Sequence, residues 1–231
     1  MLLYAVRHAQ SLANASLDPG LDTALTELGR RQAASLAKRL ASQRLAAVYS
    51  SPFRRCLETA IPIAQGRGIP VLLRPELCEY HHVSPGSATH AAVPPVTDIL
   101  KSQGVAVECP DHEGPMAWPM IDESLSDLVA RVQSFCAFLK RRWTDPEDVV
   151  LIVSHGSPVA RMIEAWLTNL PGPSFRFVID NAALTALRWY QDVSSLVCLN
   201  EASHLFGLPS TDAANYHDDA TIKAVPPSSY W

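Results

Sequence analysis

Leu2-Leu3-Tyr4-Ala5-Val6-Arg7-His8 is an uncharged apolar run that stops abruptly at two basic residues. A run without polar alternation reads as a strand buried on both faces, the situation of a strand inside a parallel sheet. In open α/β sheets, ligands sit in the crevice beyond the carboxyl ends of such strands, which is where Arg7 and His8 fall. The neighbouring arginine disfavours imidazolium, so His8 is expected to be neutral and nucleophilic near neutral pH. The guanidinium in turn offers a planar fork of donors that fits a phosphoryl group. The dipeptide alone suits a solvated surface pair better, and what displaces that reading is its company downstream.

After this strand, Leu28, Ala33, Leu36, Ala37 and Leu40 fall on one face of a helix that Thr26 caps and that runs to about Gln43. Leu45 to Tyr49 returns as a strand and completes a β-α-β unit. It also ends in basic residues, in Ser50-Ser51-Pro52-Phe53-Arg54-Arg55, where a second helix begins. Cations at the positive end of a helix dipole point to something negative bound there, by way of Arg54 or Arg55. Val71-Leu72-Leu73 is a short strand, followed by Glu76 and Glu79. Leu125, Leu128, Val129, Val132, Phe135, Cys136 and Leu139 mark an amphipathic helix behind Glu123-Ser124, and Lys140-Arg141-Arg142 suits its C-terminus. Asp148 to Val153 is the clearest strand, and it runs through Ser154-His155-Gly156-Ser157-Pro158 into a helix reaching Leu170. His155 thus repeats the placement of His8. Ala183 to Tyr190 and Ser195 to Leu199 form a hairpin at the sheet edge. The sum is an α/β fold, a three-layer α/β/α sandwich with a mostly parallel central sheet, read as a single domain over residues 1–231.

Between His81 and Asp122 the texture changes to frequent proline and little periodicity, with His81, His82, His90 and His112 among its residues. Its length suits a lid or substrate-selecting insertion over 81–122 better than an ordinary connection. The histidine spacing matches no metal-ligand pattern, so neither metal nor other cofactor is expected. Residues 201–231 lack a period and read as a C-terminal tail. A net charge of −4 gives no general attraction to nucleic acid or to a membrane surface, so any anion site is a local gathering of arginines. No apolar stretch approaches the roughly 20 residues that span a bilayer, and no secretory signal is readable. Five dispersed cysteines without CxxC spacing read as reduced thiols in a cytoplasmic protein. An edge strand is compatible with a monomer or a homodimer.

Strand ends therefore contribute Arg7 with His8, Arg54 or Arg55, and His155, with Glu76 or Glu79 behind another strand. Two histidines, two arginines and one acid suit phosphoryl transfer to a histidine nitrogen: one imidazole attacks, the cations hold the equatorial oxygens, and the acid protonates the leaving alkoxide. Here the chain resembles the histidine phosphatase superfamily, the phosphoglycerate mutase-like family, in its phosphatase branch. The likeness lies in Arg7-His8-Ala9-Gln10-Ser11 with Asn14, Leu25-Thr26 with Gly29 and Gln32-Ala33, and Ser50-Ser51-Pro52 with Arg55 and Thr59-Ala60. It continues in Glu79, Glu123-Ser124 with Arg131-Val132, Val153-Ser154-His155-Gly156 and Asn181. The resemblance implies that His8 is phosphorylated, that Arg7, Arg55 and His155 form the phosphate pocket, and that Glu79 is general acid and then base, with Glu76 the fallback. It implies that Asn14 binds the phosphoryl oxygens with help from Gly156; Ser11 and Arg54 complete the set of candidate substrate-binding residues.

The family usually has glycine where this chain has Ala9. If the position needs a positive φ, a methyl group is costly; if it needs only a small residue, alanine is nearly neutral. With every charged pocket residue present, the expectation is an active, metal-independent phosphomonoesterase of the histidine acid phosphatase kind, its partner a small-molecule phosphomonoester or inorganic phosphate. A phosphoglycerate mutase is the second reading, but between His81 and Asp122 the chain has one cation, Lys101, with which to hold a second anionic group. The third is a catalytically weak phospho-ligand binding protein, motivated by Ala9.

Overall fold

A computed structural model describes residues 1–18, 20–80, 106–108, 123–167 and 177–209. The proposed lid, apart from 106–108, lies outside the described residues, together with its four histidines, Lys101 and Cys109. So do residues 168–176 and the tail from 210 onward.

Among the described residues the strands form one sheet in the order β4-β3-β2-β5-β1-β6-β7. β1 (Leu2–Arg7) pairs in parallel with β5 (Val149–Ser154) and antiparallel with β6 (Leu184–Tyr190). β2 (Leu45–Ser50), β3 (Val71–Leu73) and β4 (Val107–Glu108) continue the parallel part on the far side of β5. β7 (Val193–Glu201) closes the other edge as a hairpin with β6. The mostly parallel sheet and its edge hairpin are as expected, with β7 longer than Ser195 to Leu199.

β5 shows why its sequence does not alternate. Leu151 and Val153 face α1 (Glu27–Arg39) and α2 (Arg54–Gln65), packing with Leu36, Phe53 and Leu57. Val150 and Ile152 face α3 (Leu125–Arg142) and α4 (Gly156–Leu167), packing with Leu128, Phe135 and Ile163. Both faces are covered by helices, so every position from Val149 to Val153 is apolar. The chain steps outward from β1 to β2 and β3 with α1 and α2 on one face. It then returns through α3 on the other to place β5 between β1 and β2. The carboxyl ends of these three parallel strands therefore meet at one place, with Arg7 opposite Ser154 and Ser50 opposite Val153 in register.

Thr26 caps α1 as expected, its Oγ1 accepting the Gly29 N–H at 2.9 Å, an interaction typically worth about 1 kcal/mol. α1 ends at Arg39 rather than near Gln43, because the Arg67 guanidinium takes the carbonyls of Leu40 and Gln43 and holds the turn into β2. Gly29 sits where a Cβ would lie 2.0 Å from the Gln10 carbonyl oxygen, so the first turn of α1 is docked against the loop that follows His8. Along α3 Leu128, Val132, Phe135, Cys136 and Leu139 are buried and Val129 is half-buried, whereas Leu125, the first helical residue, is 40% exposed. Lys140 lies over the rings of Trp166 and Trp189, and Arg142 over Trp143, so the basic end of α3 is occupied by aromatic partners.

Candidate active site

His8 follows β1 and His155 follows β5, and their register brings the two rings to 5.2 Å between centroids, edge to face. Both imidazoles are buried. His8 Nδ1 lies 2.7 Å from the Ala9 carbonyl oxygen, which only accepts, so Nδ1 carries the hydrogen and Nε2 keeps its lone pair. Arg55, one residue into α2, donates from Nε to His8 Nε2 at 3.2 Å and from Nη2 to His155 Nδ1 at 3.1 Å. His155 therefore bears its hydrogen on Nε2, which meets Ser51 Oγ at 2.8 Å. Arg55 is itself oriented by the Leu21 carbonyl at 2.7 Å and by the Phe53 ring beneath its guanidinium.

Burial is the main reason both imidazoles ionise well below their ordinary value. The Arg55 charge is next, followed at His8 by Arg7 and at His155 by His8, Arg131 and Arg7. The expectation of a neutral His8 holds, but desolvation outranks the neighbouring arginine as its cause.

Arg7 turns its Nη1 to the Ile179 carbonyl at 2.9 Å, and Gly156 at the start of α4 stands against the Arg7 side chain. Pro158 has no N–H, so the first turn of α4 presents the N–H groups of Gly156 and Ser157 at its positive end. Asn14 Oδ1 accepts from Ser11 N at 3.2 Å, Ser11 Oγ at 3.1 Å and Asn181 Nδ2 at 3.2 Å. These donors fix the amide, with Nδ2 on its other side. The Ser11 hydroxyl is thus engaged in holding Asn14. Of the two acids, Glu76 is bound by Arg74 at 2.7 and 3.2 Å, while the Glu79 carboxylate accepts the Tyr80 N–H at 2.8 Å.

Arg54 is not brought to this cluster. Its Nε pairs with Glu58 at 2.7 Å on an exposed face, and its backbone N–H donates to Asp22 at 2.6 Å. The negative groups that relieve the start of α2 are the chain's own carboxylates, so this arginine is no sign of a ligand.

The structure adds residues to which sequence reasoning gave no part in the site. Thr59 Oγ1 accepts the Ala9 N–H at 3.0 Å, and Asn181 Nδ2 donates to the His8 carbonyl at 2.8 Å. Ser51 holds His155, as above. Each is a polar residue fully or almost fully buried, and it is this burial, visible only in the fold, that marks them. Ala9 has a negative φ, and its methyl group is buried with Leu25, Ala33 and Ala182. The position needs a small residue and not glycine's conformational freedom.

The sequence model of the histidine phosphatase superfamily (branch 1) matches residues 3–202. The chain belongs to this superfamily. Phosphoserine phosphatase 1 of Hydrogenobacter thermophilus is 28% identical over 207 residues, covering 88% of this chain and 93% of the relative. Glucosyl-3-phosphoglycerate phosphatase of Mycolicibacterium vanbaalenii is 30% identical over 177 residues, 73% of this chain and 75% of the relative. Among solved structures, a mycobacterial glucosyl-3-phosphoglycerate phosphatase in complex with inorganic phosphate superposes with a TM-score of 0.60 at 26% identity, over 88% of this chain and 98% of that one. The relatives of this histidine phosphatase superfamily member support a hydrolase acting on phosphate esters. Among its described residues no helix is long and apolar enough to cross a membrane.

Proposed function

We propose that this chain hydrolyses a small phosphomonoester through a phosphohistidine on His8. The observation that carries the reading is the 2.7 Å bond from His8 Nδ1 to the Ala9 carbonyl, because it commits the ring proton and leaves Nε2 a neutral nucleophile. In the first step Nε2 attacks phosphorus, the N–P bond forms, the ester P–O bond breaks, and Glu79 gives its proton to the departing oxygen. In the second, Glu79 takes a proton from water, the water oxygen attacks phosphorus, and the N–P bond breaks to release inorganic phosphate. Arg7, Arg55 and His155 hold the equatorial oxygens, with Asn14 Nδ2 and the Gly156 N–H as further donors. Two guanidinium groups supply the positive charge, so the scheme calls for no metal ion or organic cofactor.

Phosphoserine and glucosyl-3-phosphoglycerate, the compounds for which the relatives are named, are the first substrates to test. The decisive assay is phosphate release from a panel of phosphomonoesters with a chelator present, comparing wild type with His8→Ala and trapping acid-labile phosphohistidine. Turnover that survives the chelator and disappears in His8→Ala is expected. Hydrolysis that persists in His8→Ala overturns the proposal. Isomerisation of 3-phosphoglycerate without hydrolysis replaces it with a mutase, and phosphate binding without turnover with a binding protein. Ala9 no longer argues for that last reading, since its backbone and methyl group fit.

A further inference from the structure

Arg131 of α3 makes an unusually complete set of contacts away from the two histidines. Its Nε and Nη2 meet the two oxygens of Glu123 at 2.9 and 2.5 Å, a bidentate pair that is largely buried. Its Nη1 donates to the Glu76 carbonyl at 2.6 Å, and Nη2 also reaches the Glu79 carbonyl at 3.3 Å. Between those carbonyls, that of Leu77 accepts from Ser154 Oγ at 2.7 Å, and Ser154 immediately precedes His155. Side chains of α3 and β5 thus hold three of the four carbonyls from Glu76 to Glu79. In the sequence, Glu79 and Glu123 stand on either side of the 81–122 segment, and one guanidinium binds both.

We infer that Arg131 is a positioning residue for Glu79, an inference that rests on the reading of Glu79 as the acid. The guanidinium fixes the backbone from which the carboxylate projects, and Glu123 fixes the guanidinium. Loops otherwise carry their side chains with more freedom than helices or strands do, and proton transfer demands hydrogen-bond reach to the leaving oxygen. A lysine cannot replace this fork, because a single ammonium does not span a carboxylate and two carbonyls in one fixed geometry.

The test is the dependence of kcat/KM on the leaving group, since kcat/KM reports only the steps up to release of the alcohol. A nitrophenolate departs without a proton and an alkoxide does not. Arg131→Lys keeps the charge near His155 and is expected to lower kcat/KM for an alkyl phosphate on the order of 10²-fold, and that for p-nitrophenyl phosphate less than about 3-fold. Glu123→Gln is expected to change both in the same direction by less, and it decides the matter if the lysine variant does not fold. Equal loss on the two esters, or no loss on either, in a folded variant overturns the inference. Glu79→Gln run beside them separates the two claims. If it shows no leaving-group dependence, the acid has been misassigned; if it does while Arg131→Lys does not, the positioning role alone falls.

Discussion

The Nε–H of Arg55 donates to Nε2 of His8 at 3.2 Å. Because arginine only donates, the atom proposed to attack phosphorus is an acceptor already aligned with the cation that is to hold the phosphoryl oxygens. A second donor of the same group meets His155 Nδ1, so one guanidinium is shared by two imidazole acceptors and adds to the burial that keeps both neutral. An incoming phosphoryl oxygen replaces an imidazole lone pair as its acceptor, and the Leu21 carbonyl and Phe53 ring keep the group in plane.

Arg55→Met is accordingly expected to lower kcat/KM by about 10²-fold or more, the usual effect of losing a preorganised donor at developing charge. It is also expected to raise the pKa of His8 and His155 part of the way back, since the Arg55 charge ranks behind burial in lowering both. Steady-state kinetics with an NMR titration of the imidazole protons checks both parts. An unchanged titration would separate the guanidinium from the electrostatics of the pocket.

Acid stability follows from the same burial. His8, His155 and His204 are all held below the ordinary value of 6.5, chiefly by desolvation. Below that value the unfolded chain binds protons that the folded chain refuses, so stability is complete above about pH 6.5 and is lost as pH falls toward the folded-state values. Thermal midpoints measured from about pH 8 down to about pH 5 are expected to fall across that window. Phosphate or vanadate is expected to soften the fall, because a bound anion raises the pKa of His8 and His155. A midpoint that is flat over the window, or equally steep with the anion, contradicts this account.

Ala9→Gly tests the departure from the family pattern. The substitution removes a buried methyl group and adds backbone freedom to the unfolded chain, with no positive φ to relieve. It is expected to cost about 1–2 kcal/mol of stability and to leave kcat within about 2-fold, as the Ala9 N–H and carbonyl keep their partners. Denaturant unfolding and steady-state kinetics check it. A large gain in kcat would show that alanine restrains the pocket.

What the sequence made legible was local. The unbroken apolar runs of β1 and β5, the Thr26 cap and the two strand-end histidines are written in neighbouring residues, and a mostly parallel sheet covered on both faces follows from those runs, whereas the strand order does not. Arg54 and Arg55 show the limit. Adjacent helical residues point about 100° apart; the resemblance picks out Arg55 by its motif position, and the packing of α2 supplies the reason, with Arg55 buried on the side of Thr59 while Arg54 meets Glu58 on an exposed face. Ser51 meets His155, Asn181 meets His8 and Arg131 meets the Glu76 carbonyl across about 50 or more residues of chain, and no local pattern announces those pairings. Asp22 at the start of α2 is the converse case, a loop carboxylate that takes the place assigned to a ligand.

Asn181 is the last of these contacts with a consequence that can be measured. Its Nδ2 donates both to the His8 carbonyl and to Asn14 Oδ1, and the next residue, Ala182, adopts a φ of 57° to donate its own N–H to the Arg7 carbonyl. Asn181→Ala takes the side-chain donor from the buried His8 carbonyl and one of the three donors from Asn14 Oδ1, and is expected to cost about 1–2 kcal/mol of stability. It also frees the Asn14 amide to turn, which is expected to lower kcat and raise KM together. Asn181→Asp is expected to be worse, because it sets a buried carboxylate against two acceptor oxygens. Its charge would also raise the His8 pKa and move the acid limb of the pH–rate profile to higher pH. Urea unfolding with pH–rate profiles of both variants gives the answer. An alanine variant with wild-type stability and kcat would show that the loop after β1 holds Asn14 and His8 without Asn181.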